Sequence, residues 1–187
     1  MDGKVEIKAA VRRRMRAMRR ALTAEEREKA SRIVCEKLIC RNFSGTVAVY
    51  LASPEEIDLS AFINDLLRRG ASAVAPRWNG KTYELARVRG LSDGELRRGP
   101  MKILEPAEAD IVDPADVDAW IIPALAFTAG GARLGYGGGW YDRLLAGARG
   151  SATKTGVAHA FQIVDDLPLE PHDALVDGIV TDEPIPL

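Results

Sequence analysis

Short runs of β-branched and apolar residues alternate along this chain with runs of helical periodicity, and few folds accept that alternation. Thr46-Val47-Ala48-Val49-Tyr50-Leu51 is unbroken and apolar, as a strand buried on both faces must be. Beyond it, Leu59, Phe62, Ile63, Leu66 and Leu67 keep the spacing of one helix face, and Gly70 is placed to stop that helix. Ala71–Ala75 reads as a second strand ended by Pro76, and Ala119-Trp120-Ile121-Ile122 as a third. A helix is expected over Trp140–Ala146, and short strands over Thr155–Ala158 and Gly178–Thr181. With no long linker and no internal repeat, the pattern predicts one domain over residues 1–187, an α/β sandwich with a mostly parallel sheet. Ligands of such sheets collect beyond the carboxyl ends of the strands. The loops after Leu51, Ala75, Ile122 and Ala158 are therefore where chemistry is expected.

Ahead of the first strand, Val11, Met15, Met18 and Leu22 form one apolar stripe on a helix whose remaining faces carry arginines. Thr23-Ala24-Glu25-Glu26 is a capping box, so a second helix starts there and buries Ala30, Ile33, Val34 and Leu38. Asn42–Gly45 breaks it. Asn79-Gly80 predicts a hairpin turn into Thr82–Val88. Residues 89–117, rich in Gly, Pro and acids, show nothing beyond short elements.

At 47% hydrophobic and 28% charged residues the chain is of the ordinary globular kind, and its formal net charge of −1 gives it no overall attraction to nucleic acid or anionic membrane. The charge is unevenly placed. Residues 1–20 carry eight Lys or Arg, whereas Asp165–Leu187 carries seven acids and no Lys or Arg. That asymmetry calls for an anion near the N-terminal helix. Cys35 and Cys40 are too few for a disulfide framework or a zinc site. No apolar run approaches the roughly 20 residues of a membrane span, and no apolar signal core follows the basic N-terminus. The expectation is a cytoplasmic monomer that binds neither membrane nor nucleic acid.

The most informative stretch is Arg133-Leu134-Gly135-Tyr136-Gly137-Gly138-Gly139-Trp140-Tyr141-Asp142-Arg143. Glycines this dense cost backbone entropy, and without Cβ atoms their N–H groups can converge on an anion. Arg133 can add a charge-assisted pair of hydrogen bonds to a phosphate. The stretch is no Walker A loop, lacking Gly-Lys-Ser/Thr, and no dinucleotide fingerprint, since Trp140 holds the last glycine position. Spacing alone also allows a surface turn whose Asp142 caps the next helix.

The stretch Ile122-Pro123-Ala124-Leu125-Ala126-Phe127, a spacer, and then Arg133–Arg143 resembles the signature of the 5-formyltetrahydrofolate cyclo-ligase family. The likeness reaches both ends of the chain. Lys8 and Arg12 match the family's opening Lys-x-x-Leu-Arg, with Val11 for the leucine. Tyr50-Leu51 with Glu56-Ile57-Asp58, then Glu105-Pro106, Leu167-Pro168, His172-Asp173 and Val176-Asp177 also fit. Trp140, Thr128 and Ala124 stand where the family usually has Tyr, Asp and Gly.

The resemblance implies a three-layer α/β/α sandwich and a reaction joining 5-formyltetrahydrofolate and ATP with Mg²⁺. It implies that Lys8, Arg12, Arg133, Leu134, Gly135, Tyr136, Gly137, Gly138, Gly139, Trp140 and Tyr141 bind ATP, with Arg133 and Tyr141 catalytic. Leu51, Glu56, Gly135, Tyr136 and Trp140 would contact folate, and Asp142 and Asp173 would hold Mg²⁺. Each residue also has a plainer reading. Lys8 and Arg12 suit a solvated helix face, Asp173 a turn cap, Glu56 a helix first turn, and Trp140 the core. His159 and His172 lack partners at ligand spacing. Two rival functions remain at this level: a family paralogue with another substrate, and nucleic-acid binding through the arginine-rich helix.

Overall fold

The structure, a computed structural model, describes residues 2–170 and 173–185. The apolar runs form a seven-stranded sheet in which β1 (Thr46–Ala48), β2 (Ser72–Trp78), β7 (Ala119–Pro123), β10 (Thr153–Ala158) and β11 (Gly178–Thr181) are mutually parallel. The strand order is β11-β10-β7-β1-β2-β3-β6, with β3 (Tyr83–Val88) antiparallel to β2 and β6 (Ile111–Val112) antiparallel to β3. Helices cover both faces, as the alternation predicts.

Successive strand residues divide between the two layers. On one side Val47, Ala73, Ala75, Ile121 and Val157 meet α2 (Ala24–Cys40) and α3 (Ser60–Arg68). On the other, Ala48, Val74, Trp120, Ile122 and Ala158 meet Phe127 and the α4 residues Leu144 and Leu145, α4 being Trp140–Leu145. α1 (Asp2–Ala21) does not lie on the sheet. Its Met15 packs with Leu125, Ala126 and Leu134, on the hairpin of β8 (Ala126–Phe127) and β9 (Arg133–Leu134). The N-terminal arginines are thereby carried to the loops at the carboxyl ends of the strands.

Two strand expectations are corrected. The run Thr46–Leu51 is regular only through Ala48. Val49 donates one more bond, to the Val74 carbonyl at 2.8 Å, and the chain then leaves the sheet while Tyr50 and Leu51 stay buried. Their apolarity serves a buried loop. Pro76 does not end β2. It lies on the side of the strand that faced β1, beyond the last β1 pair at Val74, where no ladder partner loses an N–H donor. Residues 89–117 supply β4 (Leu96–Arg98), β5 (Leu104–Pro106) and β6. Buried Glu105 anchors that region, accepting from the Trp78 N–H at 3.0 Å and from Arg97 Nε at 2.8 Å.

The capping box forms as read. Thr23 Oγ1 accepts from the Glu26 N–H at 3.2 Å, and Glu26 Oε2 accepts from the Thr23 N–H at 2.7 Å. Thr23→Ala is expected to cost about 1 kcal/mol, which for a domain of this size lowers the thermal midpoint by roughly 2–4 °C in a melting scan.

Candidate active site

β8 and β9 are a two-residue-per-arm ladder, closed by Thr128, whose hydroxyl accepts from the Ala132 N–H at 3.1 Å. β9 delivers the chain into the glycine turn, where Gly137 and Gly139 adopt φ of 107° and 64°. Side-chain-bearing residues disfavour that region, so the turn depends on glycine there. α4 begins directly after, but with six residues its end is a minor source of field. The positive charge comes from side chains.

Arg12, on α1, donates from Nε to the Gly135 carbonyl at 3.0 Å. Lys8, one helical turn earlier, stands 3.5 Å from Asp173 Oδ2 and 3.8 Å from Glu170 Oε1. Asp173 also accepts from the Glu170 N–H at 2.8 Å, so the turn-cap reading and proximity to Lys8 hold together. Arg133 is buried and pairs with Asp142 through Nη2 and Oδ1, while its Nε has no hydrogen-bond partner among the described residues. The hydroxyl of Tyr141 is likewise enclosed without a partner among the described residues. Burial, and then the Glu56 carboxylate, push that phenol well above its ordinary pKa, so at neutral pH it is a proton-bearing donor and no base.

The second half of the site lies at the end of β1. Glu56 Oε2 accepts from the Ser53 N–H at 2.8 Å, and its Oε1 accepts from the Tyr136 hydroxyl at 2.7 Å. A residue of the glycine turn thus touches a residue 80 positions away in sequence. Beside Glu56 opens a cavity of about 540 Å³ walled by Tyr50, Leu51, Ile63, Leu91 and Leu96, of a size usual for small-molecule sites. Burial and the Glu56 carboxylate also raise the Tyr136 phenol pKa, so it too stays protonated.

Trp140 is placed differently from Leu51 and Glu56. It meets Trp78 and Tyr83 edge-on, each at 5.3 Å, and the Arg143 guanidinium lies 4.0 Å above its ring. Arg143 in turn donates to the Gly138 carbonyl at 2.7 Å, which ties this aromatic cluster to the turn. Neither Trp78 nor Arg143 carries a sequence signal of that role, because the strand and the helix they sit on meet only in the fold. Arg19 was equally hidden. By sequence it is one of the arginines around the apolar stripe, yet it is 1% exposed.

The remaining candidates do not extend the site. His159 is buried, 3.2 Å from Asp182 through Nδ1, and stacks on Phe161. Burial alone would raise the Asp182 pKa, but the His159 and Ala160 N–H hydrogen bonds outweigh it and hold the carboxyl below its usual range. His172 lies outside the described residues. Cys35 is buried and donates to the Asp58 carbonyl, and burial pushes its thiol pKa up, so it is no ready nucleophile. Among the described residues no group of three or more His, Cys, Asp or Glu is placed to hold a metal, and no helix is long and apolar enough to cross a membrane.

An open, mostly parallel sheet with a cationic glycine turn and an adjoining apolar cavity at its carboxyl end defines an α/β enzyme acting on small molecules. The comparisons with known proteins say which kind. The profile of the 5-formyltetrahydrofolate cyclo-ligase family matches residues 4–182, and the chain belongs to that family. It is 32% identical over 174 residues to the 5-formyltetrahydrofolate cyclo-ligase of Escherichia coli K12, covering 89% of this chain and 96% of that one. To the mouse 5-formyltetrahydrofolate cyclo-ligase it is 27% identical over 190 residues, 94% of each chain. Among solved structures, the NMR structure of Aquifex aeolicus 5,10-methenyltetrahydrofolate synthetase superposes with a TM-score of 0.81 at 32% identity, covering 96% of this chain and 91% of that one. The Mycoplasma pneumoniae 5,10-methenyltetrahydrofolate synthetase gives 0.75 at 26% identity, covering 94% and 99%.

Proposed function

We propose that this chain converts 5-formyltetrahydrofolate and ATP to 5,10-methenyltetrahydrofolate, ADP and phosphate, with the nucleotide on the glycine turn and the folate in the Glu56 cavity. The observation that carries the reading is the Tyr136–Glu56 hydrogen bond of 2.7 Å, because it makes turn and cavity two halves of one site. The chemistry needs that adjacency. A formyl group on nitrogen is a weak electrophile, and its oxygen leaves poorly. Transfer of the γ-phosphoryl group to that oxygen converts it into a phosphate ester. N10 then attacks the formyl carbon, a C–N bond forms, the C–O bond breaks with release of phosphate, and N10 gives up its proton. No protein nucleophile takes part, in keeping with the buried, hydrogen-bonded Cys35.

The protein's part is alignment and charge neutralisation. Arg133 has an unpartnered buried Nε, and Tyr141 an unpartnered buried hydroxyl; both are donors suited to phosphoryl oxygens. Lys8 and Arg12 add cationic charge from α1, and the amides of Gly135 to Gly139 complete the cradle. Glu56, facing the cavity, suits the donor-rich edge of a pterin, with Leu51 against its ring. Asp142 and Asp173 are the carboxylates to hold Mg²⁺, which favours one or two carboxylates together with phosphate and water oxygens. Bound there, Mg²⁺ would neutralise charge on the phosphate chain. Trp140, joined to Trp78 and Tyr83, offers an aromatic wall to either substrate.

The nucleic-acid reading loses support because Arg12 and Arg19 are committed to contacts within the protein. The decisive assay follows the methenyl chromophore formed from 5-formyltetrahydrofolate and MgATP. Wild type is expected to produce it, and a paralogue with another substrate is not. Asp142→Ala is expected to lower kcat at least tenfold and to raise the Mg²⁺ concentration needed for half-maximal rate; unchanged turnover removes Asp142 from the metal site.

A further inference from the structure

Arg19 is an arginine whose guanidinium lies inside the protein, 1% exposed, on a helix whose Arg13, Arg14 and Arg20 are exposed. Burying a guanidinium is costly unless its donors are used. Three contacts account for it. Nε donates to the Glu55 carbonyl at 2.6 Å, Nη1 donates to the Tyr136 hydroxyl at 2.7 Å, and Nη2 stands 3.9 Å from Glu56 Oε1. Nη2 is buried and makes no hydrogen bond among the described residues. The guanidinium also lies 5.7 Å from the centroid of the Tyr136 ring.

The Tyr136 hydroxyl has one proton. Accepting from Arg19 points that proton at Glu56, and the hydroxyl does donate to Glu56 Oε1 at 2.7 Å. Arg19, Tyr136 and Glu56 thus form a chain running from α1 to the turn to the β1–α3 loop. Among the described residues Glu56 is otherwise held only by the Ser53 N–H, and Tyr136 sits between glycines that offer no side-chain support. Neither half can set its own position.

Resting on the function proposed above, we propose that Arg19 is a positioning residue that locks Tyr136 to Glu56, so that the glycine turn and the folate cavity bind their ligands cooperatively. A nucleotide that orders the turn fixes Tyr136, and through Arg19 fixes the carboxylate that receives the pterin. By linkage, folate strengthens nucleotide binding by the same factor.

The test is binding without turnover. The affinity for 5-formyltetrahydrofolate is measured calorimetrically with and without a saturating non-hydrolysable ATP analogue and Mg²⁺, on wild type, Tyr136→Phe and Arg19→Lys. Wild type is expected to bind folate roughly fivefold or more tightly with the analogue present. In Tyr136→Phe, which keeps the ring and deletes one oxygen, the ratio of the two folate affinities is expected to fall to near one, whatever the affinity for either ligand alone. Arg19→Lys keeps the charge without the fork and is expected to lose the coupling too. A wild-type ratio of one, or a ratio retained in Tyr136→Phe, overturns the inference. Tyr136→Phe decides the matter if Arg19→Lys fails to fold. A wild type that yields no methenyl chromophore overturns the proposed function itself, a result separable from loss of coupling in an active enzyme.

Discussion

Arg133→Met is expected to lower kcat by roughly 10²–10³-fold, the usual cost of removing a preorganised charge from a transferring group. The size follows from where Arg133 sits. Its guanidinium is buried at the mouth of β9, next to the turn, 6.0 Å from the Tyr141 ring centroid and paired with Asp142. A cation in such a place acts against a lower dielectric than water, so its loss is felt more than that of an exposed arginine. Methionine keeps much of the stem's volume, and Asp142 retains access to water, so the thermal midpoint should move far less than the rate. Arg133→Lys should fall between, because a point charge replaces a planar fork. Steady-state kinetics in the chromophore assay, beside a melting scan, check both halves. A Met variant with wild-type kcat would remove Arg133 from phosphoryl transfer.

Phe127→Ala is expected to damage the fold heavily, at about 3–5 kcal/mol. In a domain of this length that corresponds to a fall of roughly 6–20 °C in thermal midpoint. Phe127 is fully buried on β8, and its ring fills the space above Gly156 of β10, where an added Cβ would stand 2.7 Å from Phe127 Cε1. Gly156 has no side chain with which to fill the space that truncation leaves on that side. Phe127 also pairs with Arg133 across the hairpin, so residual folded protein should show a weakened affinity for nucleotide. Urea unfolding and nucleotide titration measure the two effects separately. A loss under 1 kcal/mol would mean the hairpin repacks.

Much of this was legible beforehand because the signals were local. The period-3.6 stripe of Leu59 to Leu67 gave α3, Thr23 and Glu26 gave the start of α2, and Asn79-Gly80 gave the β2–β3 hairpin, whose turn Asn79 Oδ1 holds by accepting from Lys81 and Thr82 N–H groups. The glycine turn was recognisable because its residues are contiguous. Residues 89–117 were not, since β4, β5 and β6 are only two or three residues long: β4 and β5 pair with each other and are tied to the rest by bonds such as Trp78 to Glu105, while β6 pairs with distant β3. Pro76 misled for a related reason: whether a proline ends a strand depends on which neighbour it faces, and that neighbour is elsewhere in the chain.

By itself, then, the sequence determined the elements, the class of sheet and the identity of the turn, because hydrophobic period, capping and glycine density act over a few residues. Which residues surround the turn was decided by the tertiary structure alone. α1 docks through Met15 onto the β8–β9 hairpin and not onto the sheet, and that one packing choice sets Arg12 against Gly135 and buries Arg19 between Tyr136 and Glu55. An arginine on an amphipathic helix has the same propensity and period whether it ends in water or in a site. Only the surface that the apolar face selects distinguishes the two, and that surface is assembled from residues more than a hundred positions away.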